Sequence, residues 1–451
     1  MIPDGWRRGA VAVIGLGKSG VAATRLLARS GVRVYASDAS THPYASDALA
    51  SLRALPGVSV DIGRHDLALI RAAPAVIVSP GVPPEIEALA AARDAQVPIV
   101  SELELGFREL RGTRCIAITG TNGKTTTTAL VAHLLQEAGL RAEAAGNIGR
   151  PLSDVALAAD RPEWLAVEVS SFQLHDSPGF APPIGILTNL APDHLDRYPS
   201  VAAYYADKQL LFRNATDRDT WILNGDDVAV LAMAERAAGT KLRFSLAGAA
   251  DAWYDRAMRT LRLGGFALLS RDALQLLGDH NVANALAAAL AVQQVGVDAA
   301  RLARGLGTFR ALPHRLEPVG EVNGIRYIND SKATNIASTV VAIEAMDRPF
   351  VLLLGGRHKG EPYTRLAPLL AERCRLVVAY GEAGPIVMRD LNGQVPLEPG
   401  TTFEDVIARA RAAARPGDAV LLSPACSSYD MFKNYEERGA AFRRLVAPEP
   451  A

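Results

Sequence analysis

Residues 115–130 read CIAITGTNGKTTTTAL: an apolar run, then Gly120-Thr121-Asn122-Gly123-Lys124-Thr125-Thr126, then the start of a helix. Strand, glycine turn and helix N-terminus together make a phosphate cradle. Backbone N–H groups line the phosphates, the Lys124 ammonium reaches the terminal ones, and the Thr125 hydroxyl helps hold Mg²⁺. The loop is tighter than GxxxxGK[ST], because Ile118 stands where that pattern has its first glycine. A plain turn is the weaker reading: Lys124 and four threonines open the helix, and threonine is not a favoured helix former. Three further residues bear on chemistry: Glu168 in LAVEVSSFQL, His194 in TNLAPDHLDRYP and Lys208 in YYADKQLLF. A carboxylate and an imidazole at strand ends suit a metal. Lys208 does not, since at ~4 Å and an effective dielectric of ~20 an ammonium repels Mg²⁺ by roughly 8 kcal/mol. It must sit elsewhere, pair with anions or lose its charge. By spacing alone Lys208 reads as a solvated helix residue, Glu168 as readily as a paired carboxylate, and His194 as a structural histidine.

A second glycine loop, Gly15-Leu16-Gly17-Lys18-Ser19-Gly20, follows AVAVI, and Asp38 follows the next strand-like run. Its GxGxxG spacing lets a backbone approach a pyrophosphate. An NAD-type fold, another nucleotide or UDP-sugar site, and a structural turn all fit it. No HRD and DFG set accompanies it, which argues against a protein kinase.

The elements that must carry these residues repeat one pattern. AVAVIG (10–15), AVIVSPG (75–81), CIAITG (115–120), LAVEVSS (165–171), IGILTNL (184–190), IRYINDS (325–331), FVLLLGG (350–356) and AVLLSPA (419–425) are short apolar runs that end in glycine or polar residues. Such runs fit strands buried on both faces of parallel sheets, with helices such as TALVAHLLQEAGL as crossovers. Ligands of open α/β sheets bind beyond the carboxyl ends of the strands, where these polar residues fall. NVANALAAALAVQQVG reads as a packed helix.

At 451 residues the chain is too long for one core, so two or three domains are expected. Acidic and basic residues balance at 48 each, which argues against nucleic acid or an anionic membrane as partner. No apolar run is long enough to span a membrane, no secretory signal opens the chain, and the three cysteines are far apart without CxxC spacing. A reduced, cytoplasmic protein without membrane insertion is the expectation.

In order along the chain, GTNGKTT, EVSSFQL, TNLAPDHLDRYP, YYADKQ, GDHNVANALAA, LPHRLE, NDSKATN, LGGRHKG and SPACSSYDMFKNYEERG resemble the Mur ligases, from residue 11 to about residue 445. NDSKATN and SPACSSYDMFKNYEERG are the most specific. Within that family the pattern is most similar to members that join D-glutamate to UDP-N-acetylmuramoyl-L-alanine.

The resemblance implies an ATP-dependent amide ligase of peptidoglycan synthesis that works through an acyl-phosphate. It implies a three-domain α/β fold: a Rossmann-like UDP-binding domain (1–107), a central P-loop ATPase-type domain with a mainly parallel sheet (108–311) and a Rossmann-like C-terminal domain (312–451). Lys124, with Gly120 to Thr126, then holds ATP. Mg²⁺ (two sites; Mn²⁺ is an alternative) sits at Thr125 and Glu168 and at His194 and a carbamylated Lys208, whose new anionic charge removes the repulsion. Asn281, Arg315, Asp330 and Lys332 carry over to ATP. Thr334, Lys359, Ser428, Tyr429 and Tyr435 carry over to the incoming glutamate. Lys18, Ser19, Asp38, Ser79, Gly81 and Asn147 carry over to the UDP-sugar. The third domain is expected to close and exclude water, since hydrolysis competes for an acyl-phosphate. A monomer is expected. Two related readings share this chemistry, namely a folylpolyglutamate-type or other Mur ligase, and L-glutamate in place of D. An NAD-dependent oxidoreductase and a nucleotide-gated scaffold are the rivals of other classes.

Overall fold

The structure, a computed structural model, describes residues 1–40, 46–195 and 197–447. The chain forms two compact units, Met1–Arg271 with Ala283–Gly307 and Asp272–Val282 with Thr308–Ala451. All eight apolar runs form strands, and the architecture is mixed α/β with three mainly parallel sheets.

The first unit holds two sheets. One has five parallel strands, β1 (Ala10–Ile14), β2 (Arg33–Asp38), β3 (Val58–Ile62), β4 (Val76–Val78) and β5 (Ile99–Ser101), in the order β3-β2-β1-β4-β5. The order reverses beside β1, and the first glycine loop leaves β1 at that switch point. The loop can tuck under its helix, Lys18–Arg29, because Gly20 has no side chain: a Cβ there would stand 1.8 Å from the Gly15 carbonyl oxygen.

The other sheet has nine strands, β6 (Arg114–Thr119), β7 (Ala142–Gly146), β8 (Trp164–Glu168), β9 (Ile184–Leu187), β10 (Thr220–Asn224), β11 (Thr240–Ser245), β12 (Ala252–Asp255), β13 (Thr260–Leu263) and β14 (Phe266–Ser270). Their order is β14-β13-β12-β11-β10-β9-β6-β8-β7. Pairing is parallel from β7 to β12 and antiparallel from β12 to β14. The central strands are buried along their length, as their unbroken apolar sequence requires. β13 and β14 are joined by a hairpin at Gly264-Gly265, where added Cβ atoms would meet nothing.

The second unit holds six strands, β15 (Glu317–Val322), β16 (Ile325–Asn329), β17 (Phe350–Gly355), β18 (Cys374–Tyr380), β19 (Leu397–Pro399) and β20 (Ala419–Leu422), in the order β15-β16-β20-β17-β18-β19. Only β15 runs antiparallel to its neighbour. The Ala-rich stretch is the helix Asp279–Gln293, whose first turn belongs to this unit and the rest to the other.

Candidate active site

β6 lies between β8 and β9, so three strand ends converge in the first unit. The register sets Ile118 beside Glu168 and Thr119 beside Leu187, which brings the phosphate-type loop against both neighbours. Gly120 has φ +139°, and a Cβ there would stand 2.0 Å from Thr188 Oγ1, so only glycine fits. The segment after β9 stitches the loop down. Thr121 N donates to Asn189 O at 2.8 Å, Asn122 N to Asn189 Oδ1 at 2.9 Å, and Thr188 Oγ1 to Asn122 O at 2.6 Å. Helix Lys124–Glu137 begins after Gly123, which has φ +82° and supplies no side-chain cap. Thr125 and Thr126 lie half-buried in its first turn, where aligned amides favour an anion.

Two lysines meet at this loop. Lys124 Nζ donates to Gly120 O at 3.0 Å and Thr121 O at 2.7 Å. Lys208 Nζ donates to the same Gly120 O at 2.7 Å and lies 4.6 Å from the Tyr204 ring centre. The solvated reading of Lys208 is therefore overturned: the side chain is 1% exposed. Helix Val201–Gln209 turns it inward rather than outward. Burial, then the neighbouring Lys124 charge, push its pKa well below the ordinary lysine value, against the pull of Asp193, Glu168 and Asp207.

Glu168 closes β8 and is buried. Its Oε1 accepts from Asn147 Nδ2 at 2.9 Å, while its Oε2 is buried without a hydrogen-bond partner among the described residues. Asn147 follows β7, next to β8, and its N–H donates to Glu168 O at 2.9 Å. His194 sits in the left-handed region at φ +54°, its ring edge-on to Phe172 at 5.3 Å and to Tyr204 at 5.9 Å. Among the described residues no group of three or more His, Cys, Asp or Glu side chains could hold a metal, so any such site here draws on other ligands.

The other end of this region is a cleft of about 410 Å³ beyond β1, β2 and β4. Lys18, Ser19, Asp38, Ser79, Gly81 and Asn147 all line it. Asp38 secures the glycine loop, accepting from Leu16 N at 2.7 Å and Ser40 N at 2.8 Å. Ser79 Oγ donates to Gly15 O at 2.8 Å. Lys18 is exposed at the mouth. Asn147 thus joins the cleft to the Glu168 carboxylate.

In the second unit, Asp330 follows β16 and is buried; its Oδ1 accepts from Leu316 N at 3.1 Å and its Oδ2 from Ser423 Oγ at 2.9 Å. Burial raises its pKa to about 7 despite those bonds and the Arg315 and Arg438 charges. Lys332 Nζ donates to Tyr435 OH at 2.9 Å and lies 4.6 Å from that ring centre. Arg315 and Thr334 are half-buried, Ser428 is buried, and Lys359 and Tyr429 are exposed. Arg357 N donates to Ser427 O at 2.8 Å, which zips the loops bearing Lys359 and Ser428 together. Asn281 is buried and its Nδ2 donates to Leu277 O at 2.8 Å.

Sequence reasoning passed over several residues that the structure places here. Tyr204, one residue before the Tyr205 of YYADK, is buried with its hydroxyl 3.3 Å from Thr121 Oγ1. Thr188 and Asn189 hold the loop, and the polar end of IGILTNL was their signal. His65 lines the cleft, 2.8 Å from Ser37 Oγ, with its pKa lowered by burial; it lies shortly after β3, where the strand-end rule would have found it. Arg438 is wholly buried and bonds Ser331 and Cys426 carbonyls, which nothing in NYEERG foretold.

Three family models match the chain in sequence: "Mur ligase MurD-like, N-terminal domain" over residues 9–101, "Mur ligase middle domain" over 118–292 and "Mur ligase, glutamate ligase domain" over 314–426. A UDP-N-acetylmuramoylalanine–D-glutamate ligase of Acidobacterium capsulatum is 40% identical over 97% of this chain and 95% of its own length. The protein of that name from Salinibacter ruber is 41% identical over 99% of both chains. In fold the chain is similar to a crystal structure of the UDP-N-acetylmuramate-alanine ligase of Thermotoga maritima, with a TM-score of 0.61, 20% identity, and coverage of 96% of this chain and 98% of that one.

Proposed function

Because this chain belongs to the Mur ligase family, we infer that its strand-end site activates a carboxylate with ATP and joins it to an amine. It is an ATP-dependent, ADP-forming ligase that adds D-glutamate to UDP-N-acetylmuramoyl-L-alanine in peptidoglycan precursor synthesis. Relatives about 40% identical over nearly the whole chain are named as ligases, which does not favour the oxidoreductase alternative. The observation that carries the reading is the Asn147–Glu168 bond, which ties the cleft of about 410 Å³ to the buried carboxylate beside the phosphate-type loop.

The reaction needs charge neutralised. Both the γ-phosphate and the carboxylate it must meet are anions. Lys124, now bonded to its own loop, is assigned to the terminal phosphates, and the first-turn amides of its helix to the others. The alanine carboxylate oxygen attacks the γ-phosphorus and ADP leaves. The neutral amine of glutamate then attacks the acyl carbon, phosphate leaves, and the amine proton passes to a phosphate oxygen, because His194 is assigned to a metal ion and a metal-bound imidazole has no free lone pair. Lys18, Ser19, Asp38, Ser79, Gly81 and Asn147 are assigned to the UDP-sugar. In the second unit Asn281, Arg315, Asp330 and Lys332 are assigned to ATP. Thr334, Lys359, Ser428, Tyr429 and Tyr435 are assigned to glutamate, whose two carboxylates need cationic and hydrogen-bonding partners when desolvated.

Magnesium fits the donor set. Glu168 Oε2 is a buried carboxylate oxygen with no hydrogen-bond partner among the described residues, which is costly unless a cation or donor meets it. Glu168 and Thr125 would hold one ion; His194 and a carbamylated Lys208 would hold a second. Bound there, Mg²⁺ or Mn²⁺ would neutralise phosphate charge. The depressed pKa of Lys208 supports carbamylation, because the neutral amine is the form that reacts with CO₂. Among the described residues no helix is long and apolar enough to cross a membrane, and we place the enzyme in the cytoplasm as a monomer. Phosphate release measured with ATP, Mg²⁺, UDP-N-acetylmuramoyl-L-alanine and a panel of D- and L-amino acids tests the ligase reading and its substrates. Release should require the UDP-sugar and favour D-glutamate; amide formation without nucleotide consumption would overturn the reading.

A further inference from the structure

The loop that bears His194 is tied to the wall of the cleft through the Arg197 side chain. The His194 carbonyl accepts from Arg197 N at 2.9 Å and from Tyr198 N at 3.0 Å, so the turn fixes Arg197 relative to His194. The Arg197 side chain then crosses to the five-stranded sheet, where Nη2 donates to Val82 O at 2.8 Å. Val82 lines the cleft and stands over the first glycine loop: a Cβ on Gly15 would meet Val82 Cγ2 at 2.6 Å. The guanidinium is held over the Phe172 ring, 4.0 Å from its centre. Phe172 in turn stacks on Tyr198 at 5.2 Å and 13° and meets the His194 ring edge-on at 5.3 Å. His194, Phe172, Arg197, Val82 and the Gly15 loop thus form one contiguous chain of contacts.

The guanidinium is poorly placed for stability alone. Its Nε is buried with no hydrogen-bond partner among the described residues, and an unpaired buried donor costs free energy. An apolar side chain of similar volume would fill the space without that cost. What it would lose is the directed bond to Val82 and the cation–π contact that orients it.

We propose that Arg197 is a positioning residue that couples occupation of the UDP-sugar cleft to the placement of His194. A shift of residues 79–83 on binding of a UDP-sugar would be transmitted through the Val82 carbonyl to the guanidinium, and through Phe172 and the shared turn to the imidazole. This rests on the functional reading above, and the test separates the two.

The experiment follows the His194 imidazole by ¹⁵N NMR in the full chain, with the signal assigned by its loss in His194→Gln. UDP-N-acetylmuramoyl-L-alanine is titrated in without ATP or metal, and its affinity is measured by calorimetry in parallel. In the wild type, sugar nucleotide should bind and shift the His194 signals. In Arg197→Met, Kd should rise roughly 10-fold, the scale of one lost charge-assisted bond, and the His194 shift on binding should vanish. Arg197→Lys should restore folding charge but not the shift, while Phe172→Leu should weaken the shift and leave Kd within about 3-fold, since the Val82 bond remains. KM for ATP should stay unchanged in Arg197→Met while KM for the UDP-sugar rises. A thermal melt guards against misfolding; were Arg197→Met unfolded, the Phe172→Leu and Arg197→Lys results decide. An unaltered His194 shift in folded variants defeats the coupling. Failure of the wild type to bind the UDP-sugar defeats the functional reading instead.

Discussion

Lys208→Ala, and removal of dissolved CO₂ from the wild type, probe whether the Lys208 nitrogen works as a carbamate. Its Nζ is 2.7 Å from Gly120 O, and Lys124 Nζ is 3.0 Å from the same oxygen, so the two nitrogens can be no further apart than the sum of those bonds, about 5.7 Å. Two unit positive charges at that distance repel by roughly 3 kcal/mol at an effective dielectric of ~20. The oxygen they share is a single neutral carbonyl, and Lys208 is also cut off from water. Burial and the Lys124 charge disfavour the ammonium there, against the pull of Asp193, Glu168 and Asp207. As the neutral amine attacks CO₂, a C–N bond forms and a proton leaves to solvent, and the product is an anion attracted to Lys124 by a similar amount. Lys208→Ala should therefore lower kcat by about 10²–10³, the scale of one preorganised electrostatic group. Formate or acetate should restore part of it by filling the vacated space with negative charge, and ammonium salts should not. A carbamate carbon resonance should grow in wild type supplied with ¹³C-bicarbonate and be missing from the alanine variant. Full turnover under strict CO₂ exclusion, or rescue by ammonium with no carbamate signal, would falsify this reasoning.

Other perturbations follow from the same geometry. Lys124→Ala should lower kcat by about 10²–10³ with the protein still folded, as steady-state phosphate release and circular dichroism would show. Asn147→Ala removes the donor to Glu168 Oε1 and a wall of the cleft, so KM for the UDP-sugar and the Mg²⁺ concentration for half-maximal rate should both rise, by roughly 10-fold each. Gly120→Ala should abolish activity and cost several kcal/mol in denaturant titrations, because φ is +139° and Thr188 Oγ1 occupies the Cβ position. Asp330 has its pKa raised to about 7 by burial, so the stability it contributes is present below the ordinary carboxylate range and is lost as pH rises through 7. Asp330→Asn should then be no more stable than wild type near pH 4 but more stable by up to a few kcal/mol at pH 8, measured by urea unfolding; an equal difference at both pH values would rule out that titration.

How much of this was legible in the sequence depends on what each feature rests on. The buried parallel strands were, since β6, β8, β9, β17 and β20 must be apolar on both faces and are bounded by glycine or polar residues. The antiparallel strands β12 to β14 were not, because they are four or five residues long with mixed burial and lack that continuous run. Glu168 and Asn147 lie 21 residues apart, and only the pairing of β7 with β8 makes them neighbours. Spacing alone misread Lys208, because YYADKQ reads as a solvated helix face, and only the resemblance gave it a role; its burial comes from β6 delivering Gly120 to that helix, a tertiary fact that spacing does not carry. Arg197 lay in a quoted motif, yet its partner Val82 is 115 residues away.

The Gly264-Gly265 hairpin has a practical use. It ends the outer, antiparallel edge of the nine-stranded sheet, and the adjoining Phe266 is 68% exposed. Strand pairing fixes both ends of the turn, and Gly264 N donates to Asp251 O at 2.7 Å, whereas side chains added at the two glycines would meet open space. A short epitope, a fluorophore or a surface-tethering cysteine grafted between the two glycines should report on the protein or anchor it to a chip while turnover proceeds undisturbed.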